Sequence, residues 1–382
     1  MANPIDPKAF GKLRRIAPNL LAARREPADW RARPLPEEVA FKLTNRCDLR
    51  CRHCYQWGSE GNHRRLTAAD AARDLPLAVV AKVLEATRLL RSNVFLAGGE
   101  PLLYRDWEGL VDLLAADRRW TSICTNGGLI EARLGSLLRI SSQLEVLISL
   151  DGFASEHDAL RGSGAFARTL AGIRALVHCK RVGSYLGEIT VNCVIGDAMV
   201  TRLCDFVRFL EAEGVETAYL SLPWYISDKT SQDMQAYLVE HFPELAFSEH
   251  PSWRSFNFKL SPDRVRDLRS EFDRVAQANL RLKLRYNPKL APAELPEFLS
   301  GSRTPMQNKT RCLALRTRLE VFPTADVVAC KFFPEFTVGN LEQSTLSEIW
   351  QGGRYNRIRE TLACAGVMPV CSKCNLLYAR GD

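Results

Sequence analysis

Long apolar runs are missing from this chain. None of its 382 residues falls in a window approaching the ~18 consecutive apolar residues of a membrane-crossing helix, so no membrane span is expected. Residues 1–10 have no apolar core of the kind a secretory signal carries, which predicts a cytoplasmic protein. Internal repeats and low-complexity tracts are also absent. With 46% hydrophobic and 25% charged residues, the composition excludes a disordered or collagen-like chain. The length suggests two or three domains, or one large one with attachments.

What the chain has in quantity is cysteine, twelve residues in all. In a reducing cytosol these are not a disulfide framework. Cys47, Cys51 and Cys54 crowd one segment, and Cys371 and Cys374 form a C-x2-C near the other end. Such clusters read as metal or iron–sulfur ligation. The formal net charge is +8, and residues 1–35 hold eight Lys/Arg against three acids. That basic arm reads most plainly as a solvated amphipathic helix. No recognition helix or stacking motif accompanies it, which argues against a nucleic-acid partner.

Residues 1–36 are expected to be a helical extension with a proline-rich exit. From there, six strand-like runs alternate with helical patterns: 39–44, 93–97, 120–124, 144–150, 189–195 and 217–222. This spacing is that of right-handed βαβ units, and the runs are apolar on both faces, as in a parallel sheet covered by helices. The fold class is therefore α/β. Residues 37–224 fit a partial (β/α)6 TIM-like barrel, with an open doubly wound sheet as the alternative. Residues 225–305 are less regular, with one helix at 262–279 and a possible strand at 281–286, and form a variable linker or substrate segment. Residues 306–382 make a separate α+β unit. There a hairpin is expected around Pro323-Thr324-Ala325-Asp326, followed by a helix over 346–363 opened by a Thr345/Glu348 capping box.

Cys47, Cys51 and Cys54 form C-x3-C-x2-C directly after the first strand. Three thiolates on one tight loop hold three irons of a [4Fe–4S] cube and leave the fourth open. Zinc with His53 as fourth ligand is the alternative, but the spacing is poor for a zinc finger. This motif with its trailing Tyr55 resembles the signature of the radical S-adenosylmethionine (SAM) superfamily. Further motifs follow in family order at successive strand ends. They are Gly98-Gly99-Glu100-Pro101, Thr125-Asn126-Gly127, Ser149-Leu150-Asp151-Gly152 with Arg161-Gly162, and Asn192 to Ile195.

The resemblance implies a set of SAM contacts. Gly98 and Gly99 would let the backbone approach the methionine moiety. Glu100 would accept from the α-ammonium and Arg161 would pair with the α-carboxylate. Asn126 belongs to the same set through its motif. Ser149 or Asp151 would bind ribose hydroxyls, Asn192 and the backbone near Ile195 would meet the nucleoside, and Tyr55 would lend backbone contacts near the adenine. Asp151 also reads as a helix N-cap, and Arg161 as a surface ion pair.

Cys312, Cys330, Cys371 and Cys374 supply four thiolates with no open position. The order hairpin, Gly339-Asn340, Leu346–Trp350, helix and C-x2-C resembles the SPASM/twitch auxiliary-cluster region of radical SAM enzymes. Because no cysteine follows Cys374, one auxiliary [4Fe–4S] cluster is expected; a structural zinc is the alternative. Cys364 is left over as a helix-end residue, and Cys124 and Cys193 sit near strand ends where either could face a cavity.

The resemblance implies reductive cleavage of SAM to a 5′-deoxyadenosyl radical that takes hydrogen from a substrate C–H, with an electron donor such as flavodoxin or ferredoxin. Three outcomes compete. The favoured one is maturation of a peptide or protein by oxidation, crosslinking or epimerisation. The second is dehydrogenation or epimerisation of a small natural product such as an aminocyclitol or sugar. The third is a non-catalytic iron–sulfur or zinc protein, which would leave the glycine and aspartate motifs unexplained.

Overall fold

The computed structural model describes residues 33–245 and 250–381. The expected basic arm lies outside them except for residues 33–36. Ten strands form one sheet: β1 Glu38–Lys42, β2 Asn93–Ala97, β3 Thr121–Thr125, β4 Leu144–Ser149, β5 Glu188–Val194, β6 Thr217–Ser221, β7 Lys283–Asn287, β8 Arg318–Val321, β9 Asp326–Val328 and β10 Thr337–Asn340. Their order is β10-β9-β8-β1-β2-β3-β4-β5-β6-β7. Strands β1 to β7 run parallel, each joined to the next through helix. Strand β8 lies parallel on the free edge of β1, and β9 and β10 continue antiparallel. The sheet does not close on itself, so the barrel is partial, as the sequence pattern implied.

Alternation along the strands sorts their two faces. Val39, Phe41, Val94, Leu96, Ile123, Val146 and Ile148 are all but fully buried in the main core. The helices Leu77–Ala86, Trp107–Ala116 and Ala165–Arg181 add Val80, Leu110 and Ile173 to that core. The opposite face carries Phe95, Cys124, Leu147, Ser149, Asn192 and Tyr219, all only part-buried. In a closed eight-stranded barrel the interior is packed with side chains. Here the inner face keeps accessible surface, and that space is available to ligands.

The possible strand at 281–286 of the less regular segment is present as β7 and joins the sheet as a seventh parallel strand. The structure departs from the sequence pattern in two places. Helix Asp228–His241 in the same segment has no strong apolar period: only Thr230, Ser231, Met234 and Leu238 are buried on it. The expected helix over 346–363 is two helices, Leu346–Trp350 and Gly353–Ala365. Gly352 between them is extended and packed so closely that a Cβ would stand 2.5 Å from the Glu348 carbonyl. The Thr345/Glu348 capping box is present.

The seam between β1 and β8 is ionic. Arg318 lies opposite Glu38 in register and pairs with it, Arg380 pairs with the same Glu38, and Arg318 also holds Glu320.

Candidate active site

Beyond β1 the chain turns into the first cysteine loop, at the end of the strands where parallel barrels place their chemistry. Thr44 Oγ1 donates to Asp74 Oδ1 at 2.6 Å and Arg46 grips the same carboxylate through Nη2 at 2.7 Å. The Gly99 and Glu100 amides donate to the Thr44 and Arg46 carbonyls at 2.7 and 2.8 Å. A Cβ at Gly99 would lie 2.1 Å from the Arg46 oxygen, and one at Gly98 2.6 Å from the Thr44 oxygen. The close approach these glycines permit is thus to the cysteine loop itself.

Cys47, Cys51 and Cys54 pack with Leu49 and Ala165 in a small apolar group apart from the main core. Burial pushes the Cys47 thiol up to about 12 and Cys51 to about 11, so they ionise only against strong positive charge. Arg161 supplies part of it, with Nη1 3.8 Å from Cys51 Sγ. Among the described residues no three His, Cys, Asp or Glu side chains converge as ligands of one metal ion. A cubane takes each thiolate on a different iron, which suits three thiols spread along a loop.

Glu100 is 1% exposed and strongly engaged. Oε1 accepts from the Leu102 amide at 3.0 Å and Thr125 Oγ1 at 2.7 Å, and Oε2 from the Asn126 amide at 2.8 Å. A carboxylate accepts about four hydrogen bonds, so Oε2 keeps one position. No cation pairs with Glu100 among the described residues, and burial raises its pKa to about 7. An α-ammonium is a group this acid lacks. Asn126 Nδ2 donates to Asp48 Oδ1 at 2.8 Å, tying the end of β3 to the cysteine loop.

Asp151 and Arg161 form a buried pair, Nε to Oδ2 at 2.6 Å, and Asp151 Oδ1 accepts from the Val194 amide at 2.9 Å. The Arg161 charge holds the Asp151 carboxyl below its usual range despite burial. Ser149 and Asn192 face each other across β4 and β5. Asn192 Oδ1 accepts from Ser221 Oγ at 2.6 Å. Ile195 is buried in the core, so only its backbone reaches this end of the sheet. Tyr55 stacks on Phe256 at 4.8 Å and meets Phe332 edge-on at 5.7 Å.

The sequence pattern did not assign His53, Phe256 or Phe258 to SAM or substrate. His53 Nε2 lies 3.4 Å from Arg161 Nη2 and 3.5 Å from Asp151 Oδ2, and burial lowers its pKa to about 4, leaving it neutral. Its position inside the cysteine motif was the available signal. Phe258 meets the His53 ring at 5.5 Å and gave no signal. The segment carrying both phenylalanines is pinned at two ends. The Ser261 amide donates to Asp197 Oδ1 at 2.8 Å, and Ser252 donates through N and Oγ to Glu335, both at 2.7 Å.

The second cysteine group converges on a cavity of about 40 Å³. Cys312, Cys330, Cys371 and Cys374 all line it, among Leu315, Phe333, Phe336 and Leu362. Cys312 is placed by a bridge to Gly381, Cys330 follows β9, and Cys371 and Cys374 flank the turn Pro369–Lys373. Burial raises all four thiols, Cys374 to about 12, and each lies within electrostatic reach of at least one other member of the set or of a nearby cation. Four thiols in one apolar cavity fit a fully ligated cluster. Cys364 is exposed, while Cys179, Cys193 and Cys204 are buried in the main core. Cys124 faces the barrel interior.

Residues 41–200 match the model of the Radical SAM superfamily, and residues 312–375 match SPASM, an iron–sulfur cluster-binding domain. The first match implies SAM and a [4Fe–4S] cluster, and the second implies auxiliary iron–sulfur ligation. Among curated proteins, the Pre-heme d1 synthase of Dinoroseobacter shibae is 34% identical over 50% of this chain and 44% of its own. The Mycofactocin maturase MftC of Mycobacterium ulcerans is 29% identical over 46% of this chain and 44% of its own. The chain thus spans less than half the length of these relatives. Among solved structures, Streptococcus suis SuiB bound to precursor peptide SuiA aligns with TM-score 0.58 and 16% identity, over 98% of this chain and 78% of SuiB. The anSMEcpe protein with bound AdoMet aligns with TM-score 0.56 and 18% identity, over 84% of this chain and 78% of that one. The chain thus carries a radical SAM domain over residues 41–200, followed by a SPASM iron–sulfur cluster-binding domain over residues 312–375.

Proposed function

We propose that the protein is a radical SAM oxidoreductase or maturase acting on a peptide or protein substrate. The observation that carries the reading is a three-cysteine loop set above an accessible barrel interior, beside a buried arginine and a buried acid that has no counter-cation among the described residues. Bound there, the reduced cluster and SAM supply one-electron reductive cleavage and hydrogen abstraction from an unactivated C–H bond. The protein's own part is to bind, orient and exclude water. Glu100 Oε2 takes the α-ammonium. Arg161, with Nε held by Asp151, turns its remaining N–H groups toward Cys51 and the carboxylate side of the ligand. Ser149 and Asn192 offer hydrogen bonds to ribose and nucleoside, Gly98 and Gly99 set the loop height, and Asp151, Tyr55 and the Ile195 backbone complete the wall. Phe256 and Phe258 cover the mouth of the interior.

Peptide maturation is supported by relatives named mycofactocin maturase and antilisterial bacteriocin subtilosin biosynthesis protein AlbA, and by the SuiB fold. A small-molecule reading is supported by relatives named for pre-heme d1, Fe-coproporphyrin III and GTP chemistry. Among the described residues no helix is long and apolar enough to cross a membrane. We place the protein in the cytoplasm, fed by a flavodoxin or ferredoxin. With dithionite, the anaerobic protein should convert SAM to 5′-deoxyadenosine, and Cys51→Ala should abolish this. Equal turnover by the variant would remove the first cysteine group from the reaction.

A further inference from the structure

Two hydrogen-bond donors lie where the barrel interior meets the auxiliary cavity, which Lys331 and Phe332 also line, and neither has an acceptor among the described residues. One is the Lys331 ammonium, which sits 4.9 Å from the Phe95 ring centre and 5.1 Å from that of Phe332. No hydrogen bond or ion pair to a described residue holds it. The other is the Trp224 indole N–H, which is buried without a partner. The Trp224 ring meets Phe332 edge-on at 4.2 Å and Phe256 at 4.3 Å. Both donors therefore border the same Phe332 ring.

The location joins the two halves of the site. Lys331 follows Cys330 and lies within electrostatic reach of Cys124, on the inner face of β3, and of Cys374 in the auxiliary cavity. Glu320 is in the same reach, but Arg318 already bonds it. Lys331 is part-buried, and aromatic faces stabilise such an ammonium only partly, so an anionic partner would add to its stabilisation. Two donors bordering one phenylalanine ring in an aromatic wall describe a site for an anionic acceptor on an apolar body.

We propose that Lys331 and Trp224 bind a carboxylate of the substrate, with the adjoining apolar part of the substrate against Phe95, Phe256 and Phe332. This rests on the reading of the barrel interior as the substrate chamber. The carboxylate is either a peptide terminus or the side-chain acid of a flat small molecule, and the ligand pairs below separate them.

The test is equilibrium binding to the anaerobic, cluster-loaded full chain. One pair of probes is N-acetylphenylalanine and its amide; the other is mesoporphyrin and its dimethyl ester. The wild type should prefer the acid at least tenfold in one pair, and that pair identifies the source. Lys331→Met should erase the preference at unchanged iron content, Lys331→Arg should retain it, and Trp224→Phe should reduce it. Equal binding of acid and neutral probe in both pairs, or a preference surviving in Lys331→Met, overturns the proposal. So does loss of half the iron in Lys331→Met, which would assign the ammonium to the auxiliary cluster. SAM cleavage is measured separately and stands or falls without this result.

Discussion

Glu100 shows how a single buried group reads on function. Its carboxylate fastens the end of β3 to the loop after β2, yet among the described residues it has no cationic partner, and its pKa is raised to about 7. The folded chain therefore holds a proton at pH values where the unfolded chain has lost it. Stability from this group falls as pH rises from about 4.5 to about 7 and stays lowered above that. His53 and His157 act in the opposite direction, since burial lowers both to about 4. Comparison with Glu100→Gln cancels the histidines. In urea unfolding of the cofactor-free chain, the stability of Glu100→Gln relative to wild type should rise between pH 4.5 and 7, by roughly 3 kcal/mol at most. A difference independent of pH would show that Glu100 ionises normally. At this scale the cysteines and the motif residues were legible in the sequence, because their signal is local spacing. Lys331 and Trp224 were not, because what singles them out is a lack of partners among the described residues of distant segments.

Among the elements, the loop between β1 and the glycine motif decides the first cluster site. Gly99 has no room for a side chain, since its neighbour at 2.1 Å is backbone. Gly99→Ala must displace the loop that carries the first three cysteines. We expect a stability loss of about 1–3 kcal/mol and loss of about half the iron, with the auxiliary site retained. Full iron in a folded Gly99→Ala protein would show that loop height does not govern cluster binding. The alternation of strands and helices up to β6 was legible because each strand run carries an apolar, fully buried face and is followed by a helical pattern. Helix Asp228–His241 was not, since few of its residues are buried. Strand β7 was half legible, being part-exposed along its length. The segment holding Phe256 and Phe258 is fixed by Asp197 and Glu335, contacts that no local pattern encodes.

At the scale of the whole molecule, one sheet carries both cysteine sites. Strand β8 pairs with β1, so the auxiliary cavity is built onto the edge of the barrel. That joint was not legible: the sequence pattern predicted a separate C-terminal unit, and the pairing depends on ions from three distant segments, Glu38, Arg318 and Arg380. That Cys312, Cys330, Cys371 and Cys374 meet at one cavity was legible, because their order and spacing set them apart from the other cysteines. The central claim is that the described chain holds two independent cubane sites, an open one at Cys47, Cys51 and Cys54 and a closed one at Cys312, Cys330, Cys371 and Cys374. The most direct measurement is iron and sulfide content of anaerobically reconstituted protein. Wild type should hold about eight irons per chain, and alanine replacement of either cysteine group should leave about four. A colourless wild type containing zinc, or variants that keep the full eight irons, would contradict it.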